Sequence, residues 1–137
     1  MYILFGNNAS DKEIFVNIIY YYIIMITISL ANNFDWNTYE KSVYDKIIRT
    51  EVPVEILWDL REMTKIPHFD IIVKQVALMK KEREHIIQNI ITNTIIVSSN
   101  TIKQMLLWIF KFIYTPENPT VIFTAEEWAN KKFSIDI

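Results

Sequence analysis

From Tyr22 to Leu30 apolar and polar side chains alternate. Ile24, Ile26, Ile28 and Leu30 fall on one face of an extended chain, and Met25, Thr27 and Ser29 on the other. That period of two predicts a strand, and the β-branched run Ile14–Ile19 predicts a partner for it in an antiparallel pair at the start of the fold. Ahead of the pair, Tyr2–Phe5 is a short apolar run that ends in the turn signal Gly6-Asn7-Asn8. After Leu30 the period changes. Asn32-Asn33-Phe34-Asp35 reads as a turn with Asp35 or Asn37 as helix cap, and Trp36, Tyr39, Val43 and Ile47 then recur at helical spacing. Pro53 closes this helix, because the residue before a proline is driven to extended geometry.

Val54–Leu60 is a short β-branched and aromatic run between Pro53 and the charged pair Arg61-Glu62, which predicts a buried central strand. Pro67 suits the first position of a second helix, whose apolar face is predicted as Phe69, Ile72, Val73, Val76 and Ala77. Ile86–Thr94 fits neither period well, and Thr94–Ser98 reads as the next strand. Ser98, Ser99 or Asn100 caps a third helix, Thr101–Tyr114, with Ile102, Met105, Leu106, Ile109 and Ile113 toward the core. The loop Thr115–Pro119, a strand Thr120–Phe123 and the capping box Thr124–Glu127 of a last short helix complete the order ββαβαβαβα.

The chain has 137 residues without internal repeats, which predicts one domain, 1–137, able to bury roughly two-thirds of its unfolded surface. The absence of cysteine removes disulfides, thiolate metal sites and a cysteine nucleophile, and fits a reducing, cytoplasmic setting. A net charge of −2 gives no basic footprint, so nucleic acid is not an expected partner. Ile14–Ala31 lacks charge and approaches the ~20 residues of a membrane span. Its polar side chains, Tyr20-Tyr21-Tyr22 and β-branched residues favour strands instead. The chain start carries no secretory pattern. The abundance of Ile, Asn, Tyr and Lys suggests codons rich in A and T, as in viral or protist genes.

Several local words, set in this order of elements, carry a resemblance. Ile56-Leu-Trp-Asp-Leu60, Ile95-Ile-Val-Ser-Ser99, Tyr114-Thr-Pro-Glu-Asn-Pro119 and Phe123-Thr-Ala-Glu-Glu-Trp-Ala129 are similar to segments of the STAS-like family, in particular its compact bacterial and viral SpoIIAA-like members. The resemblance implies a mixed sheet that begins with an antiparallel hairpin and is covered by helices, acting as a non-catalytic interaction or regulatory module. Phosphorylatable members carry an Asp-Ser-Ser-Gly-like turn at the second helix. This chain has Lys65-Ile-Pro-His-Phe-Asp70 there, so a phospho-switch does not carry over. The resemblance also allows an alternative, a receptor or carrier for a small apolar or lipid-like ligand.

In an open α/β sheet ligands bind beyond the carboxyl ends of parallel strands, where Asp59, Arg61, Ser98, Asn100 and Thr124 are expected. The plainer role for these is local: Asp59 bonding its own turn, the hydroxyls capping helices. Lys65 and His68 near a helix start are candidates for an anion, since free N–H groups and the dipole favour negative charge there. His85 is expected to serve a helix C-terminus. Two histidines seventeen residues apart make no recognised metal spacing, and no phosphate loop or nucleophile elbow is present, so neither cofactor nor enzymatic activity is expected. A hydrolase built on Asp59 and His68 would need the two in bonding reach. On the third helix Leu107, Phe110 and Tyr114 form a second apolar stripe, with Trp108 on the opposite side. An exposed stripe predicts an interface with a protein partner or a second copy. Cover by Trp128 and Phe133 of the last helix is the alternative.

Overall fold

The computed structural model describes residues 24–135. In chain order these form β1 (Ile24–Ala31), α1 (Trp36–Val43) continued by one π-helical turn (Tyr44–Ile48), β2 (Val54–Glu62), α2 (Phe69–Lys81) and α3 (Arg83–Asn89). Then come β3 (Ile90–Val97), α4 (Asn100–Phe112), β4 (Thr120–Thr124) and α5 (Ala125–Ile135).

The described strands make a four-stranded sheet in the order β1-β2-β3-β4, parallel throughout. This corrects the expected mixed sheet with an antiparallel N-terminal hairpin, and with it the STAS-like architecture inferred for the chain. Ile24, Ile26 and Ile28 lie beside Val54, Ile56 and Trp58 of β2, running the same way. Alternation along Tyr22–Leu30 sets which side of the strand is apolar but says nothing about the direction of its neighbour. Direction follows from the connection, and β1 leads into a helix long enough for the crossover that parallel pairing requires. Tyr2–Phe5, Gly6 and Ile14–Ile19 lie outside the described residues. Among the described residues no helix is long and apolar enough to cross a membrane.

Strands that step in one direction, each joined to the next by a right-handed crossover, place all the crossover helices on one face. That face presents Ile26, Ile28, Leu30, Val54, Ile56, Trp58, Leu60, Ile95, Val97 and Ile122. α1, α2 and α3 pack over its β1–β2 half, with Tyr39, Val43, Ile47, Leu78 and Ile86 buried. α4 packs over the β3–β4 half through Ile102, Leu106 and Phe110. α5 returns to the other face, where the Trp128 ring meets Phe123 at 5.6 Å and Ile96 is fully buried. Val54–Leu60 is the interior strand expected of it, and enclosing Val54 or Ile56 is worth about 1.5–3 kcal/mol each.

Local signals fix the boundaries. Asp35 caps α1, its Oδ2 accepting from Thr38 N at 2.9 Å and from Thr38 Oγ1 at 2.8 Å, and the first of these spares a free N–H of the opening turn. Asn33, in the turn before it, has φ 62°, a left-handed conformation that asparagine tolerates better than most residues. Ser99 caps α4 and Thr124 with Glu127 forms the capping box of α5: Glu127 N donates to Thr124 Oγ1 at 3.1 Å, and Thr124 N to Glu127 Oε1 at 2.9 Å. Pro67 lies outside α2, which His68 caps. The ambiguous stretch Ile86–Thr94 divides at Ile90, helix before and strand after. α2 is rotated from expectation: Phe69 and Val73 face solvent, and Ile71, Ile72, Gln75 and Leu78 turn inward.

Candidate functional site

Between the helix-bearing face of the sheet and its helices lies a cavity of about 230 Å³. Trp58, Leu60, Asn93 and Ile95 form its floor; Tyr39, Val43 and Ile47 of α1 with its π turn close one side, Ile72, Gln75 and Val76 of α2 roof it, and Leu106, Ile109 and Phe110 of α4 close the other side. Protein interiors are otherwise close-packed, with few voids larger than a water molecule. An apolar void of roughly 150 Å³ is enough to stay dry and to accept benzene.

The polar side chains in the walls are already paired. Tyr39 Oη donates to Gln75 Oε1 at 2.7 Å, and Trp58 Nε1 to Asn93 Oδ1 at 3.0 Å. Asn118 Nδ2 donates to the Ile90 carbonyl at 2.6 Å. Among the described residues no buried side-chain nitrogen or oxygen lacks a partner. Burial drives the Tyr39 hydroxyl far above its ordinary value, and the bond to Gln75 only partly opposes this. The interior therefore holds an uncharged, mostly hydrocarbon lining, suited to an apolar body and not to an ion.

The cavity runs the height of the sheet. At the carboxyl ends of the strands it reaches Lys65, Ile66 and Pro67; at the amino ends it reaches Tyr114, Glu117 and Asn118. Arg83 grips Glu117 through Nε at 2.6 Å and Nη2 at 2.9 Å, and this pairing raises the guanidinium's already high pKa. Burial, then the Glu117 charge, lifts the Tyr114 hydroxyl above its usual range.

The residues singled out by sequence fall in three places. Asp59, Arg61, Ser98, Asn100 and Thr124 all lie at the carboxyl-end rim, but only Asp59 and Arg61 bond to each other. Arg61 Nε reaches Asp59 Oδ1 at 2.9 Å and Nη2 reaches Oδ2 at 2.8 Å, which holds the carboxyl below its usual range. Both point away from the cavity, on the alternate face of β2. Ser98 Oγ donates to the Met63 carbonyl at 2.7 Å, Asn100 Oδ1 accepts from Gln104 at 3.4 Å, and Thr124 is occupied in its capping box. Of the anion pair, Lys65 lies on the cavity rim, while His68 accepts from Asp70 N at 3.3 Å on the exposed start of α2. No hydrogen bond or ion pair joins Asp59 to His68. His85 Nε2 donates to the Ile47 carbonyl at 3.2 Å, at the C-terminal turn of α1's extension, with Asn89 Nδ2 3.3 Å from Nδ1. Among the described residues no group of three or more acids and histidines is placed to hold a metal ion.

The third place is α4. Phe110 and Tyr114 turn inward and line the cavity, whereas Leu107 is exposed. The apolar flank that faces solvent is Met105, Trp108 and Phe112, the last two 56% and 62% exposed with their rings 5.3 Å apart. Trp128 rests on Phe123 under the sheet, and α5 meets α4 through the Lys103–Glu127 ion pair; the Phe133 side chain lies outside the described residues.

Sequence reasoning took the cavity walls for ordinary core. Two residues carried a signal: Gln75 on the inward face of α2, and Asn93 on the inward face of β3. Each is a polar side chain among apolar ones, placed to accept from an aromatic donor. No family model, no curated protein and no solved structure matches this chain.

Proposed function

We propose that this protein binds a small, largely apolar molecule in the space between its sheet and helices and does not transform it. The observation that carries the proposal is the apolar cavity of about 230 Å³. Scaled from the roughly 150 Å³ that accepts the six carbons of benzene, it has room for about nine non-hydrogen atoms. At about 24 cal/mol per Å³, leaving 230 Å³ empty forgoes about 5.5 kcal/mol of contact, comparable with the net stability of a whole domain. An apolar occupant recovers part of that. Calorimetric titration with neutral aromatic compounds of about six to ten non-hydrogen atoms, indole among them, tests the proposal against the volume derived above. Saturable binding is expected in the unmodified chain and its loss in Val76→Phe, which fills the space from the roof. Absence of binding across the series, with the protein folded, would overturn it.

A second role, as a non-catalytic interaction module that self-associates, is favoured by the Met105–Trp108–Phe112 flank. Enclosing each such side chain is worth about 1.5–3 kcal/mol, and a second copy presents the same flank. We propose it as compatible with ligand binding, since the flank points away from the cavity. Mass in solution decides: association abolished by the double change Trp108→Asp and Phe112→Asp supports it, and a monomer at every concentration removes it.

A further inference from the structure

Of the two charged side chains at the ends of the cavity, Glu117 is neutralised by Arg83, which holds it with two hydrogen bonds. Lys65 is not neutralised. It stands in the loop between β2 and α2, next to Ile66 and Pro67 of the wall, and among the described residues its ammonium has neither an ion pair nor a hydrogen bond. Of the acids near it in sequence, Asp59 is held by Arg61, Asp70 faces His68, and Glu62 ends β2 at the surface outside the cavity lining, without an ion pair to Lys65.

Resting on the cavity as a binding site, we propose that the ligand is a monocarboxylate with a compact apolar body, an aryl or short alkyl carboxylate. Its body fills the space between sheet and helices, and its carboxylate meets Lys65 Nζ at the carboxyl ends of the strands. Three observations lead there. The wall's own polar atoms are satisfied in pairs, so a polar group on the ligand belongs at an end of the cavity and not within it. Among the residues that line the cavity, the charge at the amino end is cancelled by Arg83, and the charged side chain at the carboxyl end is the cation Lys65. The carboxyl end of a parallel sheet is also where loops and helix starts converge on the polar part of a ligand. Because Lys65 is exposed, its charge keeps its hydration until the ligand arrives, and the contact is correspondingly moderate.

The test compares 3-phenylpropionate with its neutral amide, 3-phenylpropanamide, by titration calorimetry at low salt. The unmodified chain is expected to prefer the acid by about three- to tenfold, the range of a charge-assisted contact at a wet rim. Lys65→Gln should erase that preference, bringing the acid and the amide to equal affinity, and Lys65→Arg should keep it. Equal affinities in the unmodified chain, or a preference that survives Lys65→Gln, would overturn the carboxylate while leaving the cavity as a site for neutral molecules. Binding of neither compound, together with failure of the neutral series above, would overturn both.

Discussion

Tyr39 shows how much a single residue settles in this fold. It stands on the apolar face of α1, is 6% exposed, and touches Phe34, Trp36 and Trp58 by its ring while its hydroxyl bonds Gln75 across the cavity. Since burial raises its pKa above the ordinary 10.0, its contribution to stability is complete below that pH and is lost as the pH climbs past it. Denaturant unfolding of the unmodified chain and of Tyr39→Phe should therefore differ in slope above about pH 10, with the substituted chain falling less steeply. Near neutrality the substituted chain should be the less stable of the two, because the change strands the Gln75 carbonyl at a cost of about 1 kcal/mol. The same logic makes Gln75 and Asn93 informative. A polar side chain on an inward face survives only with a partner, and the partners, Tyr39 and Trp58, are more than thirty residues away along the chain (|i−j| 36 and 35).

At the scale of elements, the caps at Asp35, Ser99 and Thr124 and the buried face of α1 match expectation, whereas the place of Pro67 and the faces of α2 and α4 do not. Asp35, Ser99 and the Thr124–Glu127 box act within three residues of themselves, so their chemistry is complete in the local sequence. α4 is apolar nearly all the way round, from Met105 through Ile113 with Lys111 alone interrupting. Periodicity cannot choose a buried side for such a helix; contact with Ile95, Val97 and Ile122 does, and it selects Ile102, Leu106 and Phe110 and leaves out Met105. Substitution measures the choice. Phe110→Ala should lower unfolding free energy by about 2 kcal/mol, less than the ~3–5 of a fully enclosed phenylalanine because the adjoining void already removes some of its neighbours. Trp108→Ala should stay within about 0.5 kcal/mol. The reverse order in urea unfolding would contradict this orientation of α4.

At the scale of the molecule, the four described strands, parallel and stepping one way, put α1, α2, α3 and α4 on a single face, and the cavity is what remains where those helices and the sheet do not interlock. A ligand there binds the folded state alone. At one hundred times its dissociation constant it should add about 2.7 kcal/mol, a rise in melting temperature on the order of 10 °C, read by thermal unfolding with and without indole or 3-phenylpropionate. The alternation of Ile24 to Leu30, the enclosed run at Val54–Leu60, the caps and the loop before β4 were legible along the chain, because each depends on neighbours within a few residues. So was the class, strands alternating with helices. The direction in which β1 pairs was not, since alternation is the same in parallel and antiparallel neighbours. Nor was the site, whose walls come from α1, β2, α2, β3 and α4. By itself the sequence determined where backbone hydrogen bonds run locally and which positions avoid water. Tertiary structure decided which apolar faces meet, how closely, and what space they leave, because packing depends on shapes brought together from distant parts of the chain.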